Sequence, residues 1–220
     1  MEAGAGFSVL AILNNIASFI QGGGIIMMSL ILFIWGVGLV ICIERFLRIS
    51  RYDVDGPSFM NEIQRYVLSN DIQGAIRVCS GSVAMLPKVL KNGLKRVGQG
   101  PEQMQNAIDA TALEVIPKIE LRLNYVQLIA NISTLLGLLG TIFGLIASFS
   151  SISGDIDPAE KSRLLTEGIS QAMNTTAMGL MSAISLMVIH AFITNKTEKI
   201  INEIDEFSVK LLDLVGAKKD

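Results

Sequence analysis

The sequence predicts an all-α membrane protein with three transmembrane helices, the N-terminus outside, and long helices that extend into a cytoplasmic helical domain. Three observations carry this expectation. Half of the 220 residues are hydrophobic and the mean hydropathy is +0.51, high for a water-soluble domain. The runs 25–43, 123–153 and 168–195 contain no Asp, Glu, Lys or Arg, and each is long enough to cross the roughly 30 Å of a hydrocarbon core. No Lys or Arg precedes Arg45, whereas eleven of the eighteen basic residues fall in 45–122. That asymmetry places residues 1–22 outside and residue 45 onward in the cytoplasm.

Residues 1–22 are expected to hold an amphipathic helix over 7–21. Asn14, Ser18 and Gln21 form one stripe of it and Leu10, Leu13, Ala17 and Ile20 the other. Such a helix lies along the membrane surface or packs on the first span. Gly22–Gly24 then lets the chain turn, and residues 23–43 are the first span. Glu44, Arg45, Arg48 and Arg51 follow it directly. Residues 44–122 read as a cytoplasmic domain of short amphipathic helices, cut by Gly56-Pro57, Gly81, Gly98 and Gly100-Pro101. Within it, Tyr66–Leu68 and Asp71–Cys79 suggest a helix hairpin.

Residues 114–153 read as one long helix, kinked at Pro117, with the second span at 123–153. From Lys118 it is roughly 50 Å long at about 1.5 Å per residue, so part of it projects into the cytoplasm as a stalk. Residues 154–167 form an outside loop richer in acids than bases. Residues 168–195 form the third span, and 196–220 a charged C-terminal helix back in the cytoplasm.

Classical enzyme chemistry has no foothold. There is no GxxxxGK[ST], GxGxxG, nucleophile elbow or HExxH. Two cysteines, Cys42 and Cys79, and a single histidine, His190, give neither a disulfide framework nor a Cys/His metal cluster. No cofactor is expected.

The informative pattern lies in the second and third spans. Thr134, Thr141 and Ser148 are seven residues apart, and Gly137, Gly140 and Gly144 sit between them. In the third span Gly168, Thr175 and Ser182 repeat at the same interval, as do Gln171, Met178 and Ser185, and Thr176, Ala183 and His190. A spacing of seven keeps residues on one line of a helix. Small and hydroxylated residues, with Gly179 among them, are the usual contacts between membrane helices. They also suit a narrow lined passage, and the two stripes taken jointly favour the passage. His190 lies only six residues before Lys196 and reads as interfacial. No carboxylate stands at mid-membrane, so a proton relay needs one from a partner.

Two blocks carry a resemblance. Ile129-Ala-Asn-Ile-Ser-Thr-Leu-Leu-Gly-Leu-Leu-Gly-Thr-Ile-Phe-Gly144 resembles the second-span signature of the ExbB/TolQ/MotA proton-channel family, and Gly168-Ile-Ser-Gln-Ala-Met-Asn-Thr-Thr-Ala-Met-Gly-Leu180 its third-span signature. Glu44-Arg45 also matches a common family feature, and three spans correspond to the ExbB/TolQ branch. The resemblance implies a homopentamer in a bacterial inner membrane, ringed around a central pore that holds two single-span ExbD/TolR-like partners. It implies that an aspartate of the partner carries the proton past Thr141 and Thr176. Two positions depart from the pattern: Thr134 stands where the family has proline, and Gln171 where it has glutamate.

The function expected is therefore that of a motor or stator subunit, driven by the proton-motive force, that transduces energy to its partner. Its pore-lining set is Thr134, Thr141, Ser148, Gln171, Thr175, Thr176 and Ser182, and its packing set Gly137, Gly140, Gly144 and Gly179. A sodium-driven version of the same motor and a non-conducting membrane scaffold are the alternatives.

Overall fold

The computed structural model describes residues 24–153 and 157–216. The helix expected over 7–21 lies outside the described residues. Among those described there are helices and no strand. In chain order they are α1 (Ile25–Tyr52), α2 (Gly56–Leu68), α3 (Ile72–Ser80), α4 (Met85–Leu94), α5 (Pro101–Glu120), α6 (Leu123–Ser151) and α7 (Pro158–Gly216), with a 3-10 turn at Val97–Gln99. Three of the described helical stretches are long and apolar enough to cross a membrane. The chain is thus a multi-pass, all-helical membrane protein.

The long helices follow from composition. The start of α1, α6 and the middle of α7 are runs of Leu, Ile, Met, Ala and Gly with no charge. In hydrocarbon only a helix satisfies every backbone group within the segment. Two compact units result, one from residues up to Ile41 with Asn124–Ile189, the other from Cys42–Leu123 with His190 onward. In the first unit Met28, Ile31, Val126, Ala130, Ala172, Ala183 and Leu186 are buried. Ile26, Phe33, Val40, Leu135 and Met173 stay exposed, at 66–82% for Ile26, Phe33, Val40 and Met173. Apolar side chains left this open suit lipid or a further helix.

The second unit has an apolar core of its own. Ile63, Val67, Leu86, Val89, Leu90, Leu94, Met104, Ile108, Val115 and Ile119 are buried, as are Ile200, Ile204, Phe207 and Leu211 of α7. The hairpin expected around Asn70 forms as α2 and α3. Asn70 takes φ +66°, and the Asp71 carboxylate caps α3 by accepting from the Gly74 amide at 2.8 Å. Asn92 Nδ2 donates to Thr111 Oγ1 at 3.0 Å, tying α4 to α5. Burial pushes the Cys79 thiol up to about 11, so it is a packed thiol at neutral pH rather than a nucleophile.

Residues 114–153 do not form one helix. α5 runs through Pro117 to Glu120, and the chain breaks at Leu121–Arg122 before α6 starts. Leu121 is extended, with ψ 132°, and Arg122 has φ +65°. A non-glycine residue in that region costs about 1–2 kcal/mol. The Arg122 guanidinium meets the Glu44 carboxylate at 2.8 Å, which offsets part of the cost. The third-span helix also begins earlier than the apolar run, at Pro158, because Pro is favoured in the first helical turn.

A close approach fixes α2 against the C-terminal part of α7: a Cβ on Gly56 would stand 2.5 Å from the Phe207 ring and 3.0 Å from the Glu203 carboxyl. Burial raises the pKa of Glu203 above the ordinary glutamate range, against the pull of Lys199. The protonated form therefore favours the fold at low pH, and that contribution is lost as pH rises through the raised pKa. Glu203→Gln is neutral at every pH. Its unfolding temperature relative to the natural protein is expected to be higher at pH 8 than at pH 4, read by thermal scans in detergent.

Candidate functional site

The site is assembled from α6 and the first half of α7 by backbone contact. A Cβ on Gly137 would stand 3.2 Å from the Gly179 Cα, and one on Gly179 only 2.7 Å from the Ser133 carbonyl oxygen. One on Gly144 would meet the Ala172 Cβ at 2.9 Å. Gly140 lies against Thr175, and Gly168 against Ser148, closer than any Cβ permits. The two helices approach through this run of small residues, and only glycine leaves room.

The first-span helix completes the unit. Trp35 Nε1 donates to Ser185 Oγ at 2.8 Å, a cross-helix bond that satisfies a polar group within hydrocarbon. A Cβ on Gly38 would stand 2.8 Å from Leu186 and 3.0 Å from Ile129. Gln171 has its amide against Gly24. Ser185 and Gln171, two members of one heptad line, thus both meet the first-span helix.

The expected pore-lining residues divide into groups. Ser148, Thr175 and Ser182 are buried. Ser148 Oγ donates to the Gly144 carbonyl at 2.8 Å and Thr175 Oγ1 to the Gln171 carbonyl at 2.9 Å. The Ser182 hydroxyl has no hydrogen-bond partner among the described residues. Thr134 is exposed, and Thr141 and Thr176 are half-buried. Thr134, Thr141 and Ser148 do not share one environment, because a straight helix drifts about 20° per seven residues.

Thr141 and Thr176 bond carbonyls of adjacent α6 residues. Thr176 Oγ1 crosses from α7 to the Gly137 carbonyl of α6 at 3.0 Å. Thr141 Oγ1 donates to the next carbonyl, that of Leu138, at 2.6 Å. Both hydroxyls have committed their proton to a backbone oxygen, so each presents its lone pairs as an acceptor. An acceptor of that kind orients a water or a protonated carboxyl; it does not itself titrate. Residues 25–41, 124–153 and 168–189 contain no Asp, Glu, Lys, Arg or His. Charge reappears at the start of α7, where Arg163 meets Glu160 and Glu167, each at 2.7 Å. Ser162, Thr166, Ser170 and Asn174 continue that face along a groove of about 750 Å³. Among the described residues no cluster of His, Cys, Asp or Glu is arranged to hold a metal.

Sequence reasoning missed Ser133, whose carbonyl lies under Gly179 and whose hydroxyl donates to Ile129 at 2.9 Å. It also missed the Trp35–Ser185 pair. A lone Trp inside an apolar run, facing a serine-bearing line, was the available signal.

Residues 82–206 match the family model described as the MotA/TolQ/ExbB proton channel family. The chain is 29% identical over 169 residues to a putative biopolymer transport protein ExbB-like 3 of Synechocystis sp., covering 76% of this chain and 80% of the relative. It is 25% identical over 200 residues to a putative biopolymer transport protein ExbB homolog of Methanothermobacter thermautotrophicus, covering 90% and 69%. A third relative, a putative biopolymer transport protein ExbB-like 1 of Synechocystis sp., is 33% identical over 109 residues, covering 48% and 42%.

The glycine contacts predict opposite outcomes at two positions. Gly179→Ala forces backbone apart and is expected to destabilise the protein by about 1–3 kcal/mol. Gly36→Ala meets nothing within 4 Å and is expected to be neutral or stabilising by up to about 1 kcal/mol. Thermal unfolding of both variants in detergent checks this.

Proposed function

The chain belongs to the MotA/TolQ/ExbB proton channel family, and from that premise we propose that it conducts protons jointly with a partner that supplies the titrating group. It is a membrane protein of an energy-transducing proton channel, not an enzyme. The observation that carries the proposal is the pairing of Thr176 with the Gly137 carbonyl and of Thr141 with the Leu138 carbonyl, in spans without a carboxylate. Two oriented acceptors with no charge of their own fit a visiting carboxyl. A protonated carboxyl donates to a threonine oxygen and is neutral enough to sit in the membrane; once ionised, it must return toward water.

In this reading the partner is a single-span ExbD/TolR-like subunit. Two copies stand in the pore of a homopentamer in the bacterial cytoplasmic membrane, with the N-terminus outside and residues 44–122 in the cytoplasm. Proton movement past Thr141 and Thr176 turns or shifts the partner, which transmits the work beyond the membrane. Gln171, turned to Gly24, cannot titrate and serves as a hydrogen-bonding side chain. Native mass spectrometry of the complex expressed with its partner is expected to give five copies to two; a monomer would contradict the ring.

A non-conducting scaffold is the second reading, favoured by the burial of Ser148, Thr175 and Ser182 in helix packing. A sodium-driven version is the third, since hydroxyl and carbonyl oxygens also suit a hard cation. Proteoliposomes holding both subunits separate the three. Thr141→Val with Thr176→Val is expected to lower partner-dependent proton uptake by about tenfold, the scale of two lost neutral hydrogen bonds of about 0.5–1.5 kcal/mol each. Unchanged uptake would exclude the path, absence of uptake in the natural complex would favour the scaffold, and dependence on sodium at fixed membrane potential would favour the sodium motor.

A further inference from the structure

The second unit holds a concentration of positive charge that its own residues do not neutralise. The Glu44 carboxylate is shared by two arginines, Arg48 at 3.1 Å and Arg122 at 2.8 Å. Arg45, beside them in sequence, is fully buried. Its Nε, Nη1 and Nη2 have no hydrogen-bond partner among the described residues. Three guanidinium groups against one carboxylate leave a local charge of 3 − 1 = +2. A buried unpaired cation is costly, and the cost falls when a counter-charge is close by. Burial, with Arg48 and Arg122 acting in the same direction, pushes the Arg45 pKa down, opposed by Glu44 and Tyr52.

The outer members of the cluster are open. The side chains of Arg48 and Arg122 are 45% and 49% exposed, and Glu44 engages one nitrogen of each, leaving most of five N–H donors per guanidinium for another acceptor. Apolar side chains flank them: Phe46, Leu47 and Leu121 are 53%, 57% and 49% exposed. Arg45 follows the apolar run ending at Ile43 by two residues, and Arg122 directly precedes the run that starts at Leu123. The cluster therefore stands where two spans leave the hydrocarbon, at the depth of lipid headgroups.

We propose that Arg48 and Arg122, backed by the buried charge of Arg45, bind the phosphate of an anionic phospholipid of the cytoplasmic leaflet. Phosphate oxygens take the free guanidinium donors as bidentate hydrogen bonds, and the acyl chains lie along Phe46, Leu47 and Leu121. A lipid fits better than free phosphate because the arginines and the exposed apolar residues alternate on the same short stretch. Glu44 competes with the lipid for both arginines and so sets its affinity. None of this depends on proton conduction.

The test uses the full-length protein in nanodiscs, with retention of phosphatidylglycerol over phosphatidylcholine read by native mass spectrometry and by the shift in unfolding temperature. Arg48→Gln and Arg122→Gln are each expected to weaken retention by about fivefold, the scale of one arginine near an anionic surface. Arg48→Lys retains part of the preference. Glu44→Gln, which frees both guanidinium groups, is expected to strengthen it. The proposal is overturned if phosphatidylglycerol and phosphatidylcholine are retained alike, if the Gln variants keep the natural preference, if Glu44→Gln weakens it, or if inorganic phosphate reproduces the shift.

Discussion

The close approach of the α6 and α7 backbones is the constraint on which the site depends. Gly137 and Gly179 bring the helices near enough for the Thr176 hydroxyl to reach a carbonyl on the other helix. With side chains at those glycines the helices would stand further apart, and Thr176 would fall back on a carbonyl of its own helix. The same contact places Gly140 on Thr175 and Gly168 on Ser148. The hydroxyls of the two spans thus serve two purposes that the sequence pattern alone does not separate. Ser148 and Thr175 fill space between helices, while Thr141 and Thr176 keep an open side.

What the spans lack is as consequential as what they hold. Spans that carry Gly, Thr, Ser, Asn, Gln and apolar side chains but no carboxylate orient a polar guest without holding charge of their own. Under the proposed function, conduction then depends on a titrating group brought by another chain. Charge flanks the spans: Glu160, Arg163 and Glu167 at the start of α7, and Glu44, Arg45, Arg48, Arg122 and Lys196 within the second unit.

Much of this was legible from residue order. Uncharged runs longer than eighteen residues read as spans, and the α2–α3 hairpin was expected from the stretches Tyr66–Leu68 and Asp71–Cys79. Heptad spacing drew attention to the small and hydroxylated lines of α6 and α7. It did not foresee that one line would change environment along its length, because the repeat of seven and the helical period of 3.6 diverge. The break at Leu121–Arg122 was also hidden. Pro117 was the visible helix breaker, but the left-handed turn falls on an arginine held by Glu44, a partner 78 residues away. Composition likewise treats Arg45 as one more exposed positive-inside residue, and only packing reveals that it is enclosed.

The most direct measurement is proton uptake into proteoliposomes under an imposed potential, with this chain alone and with the proposed single-span partner. The account predicts no uptake above the lipid background for the chain alone, and clear uptake once the partner is present. Equal uptake without the partner would contradict it, because the proton would then be crossing spans that contain no carboxylate.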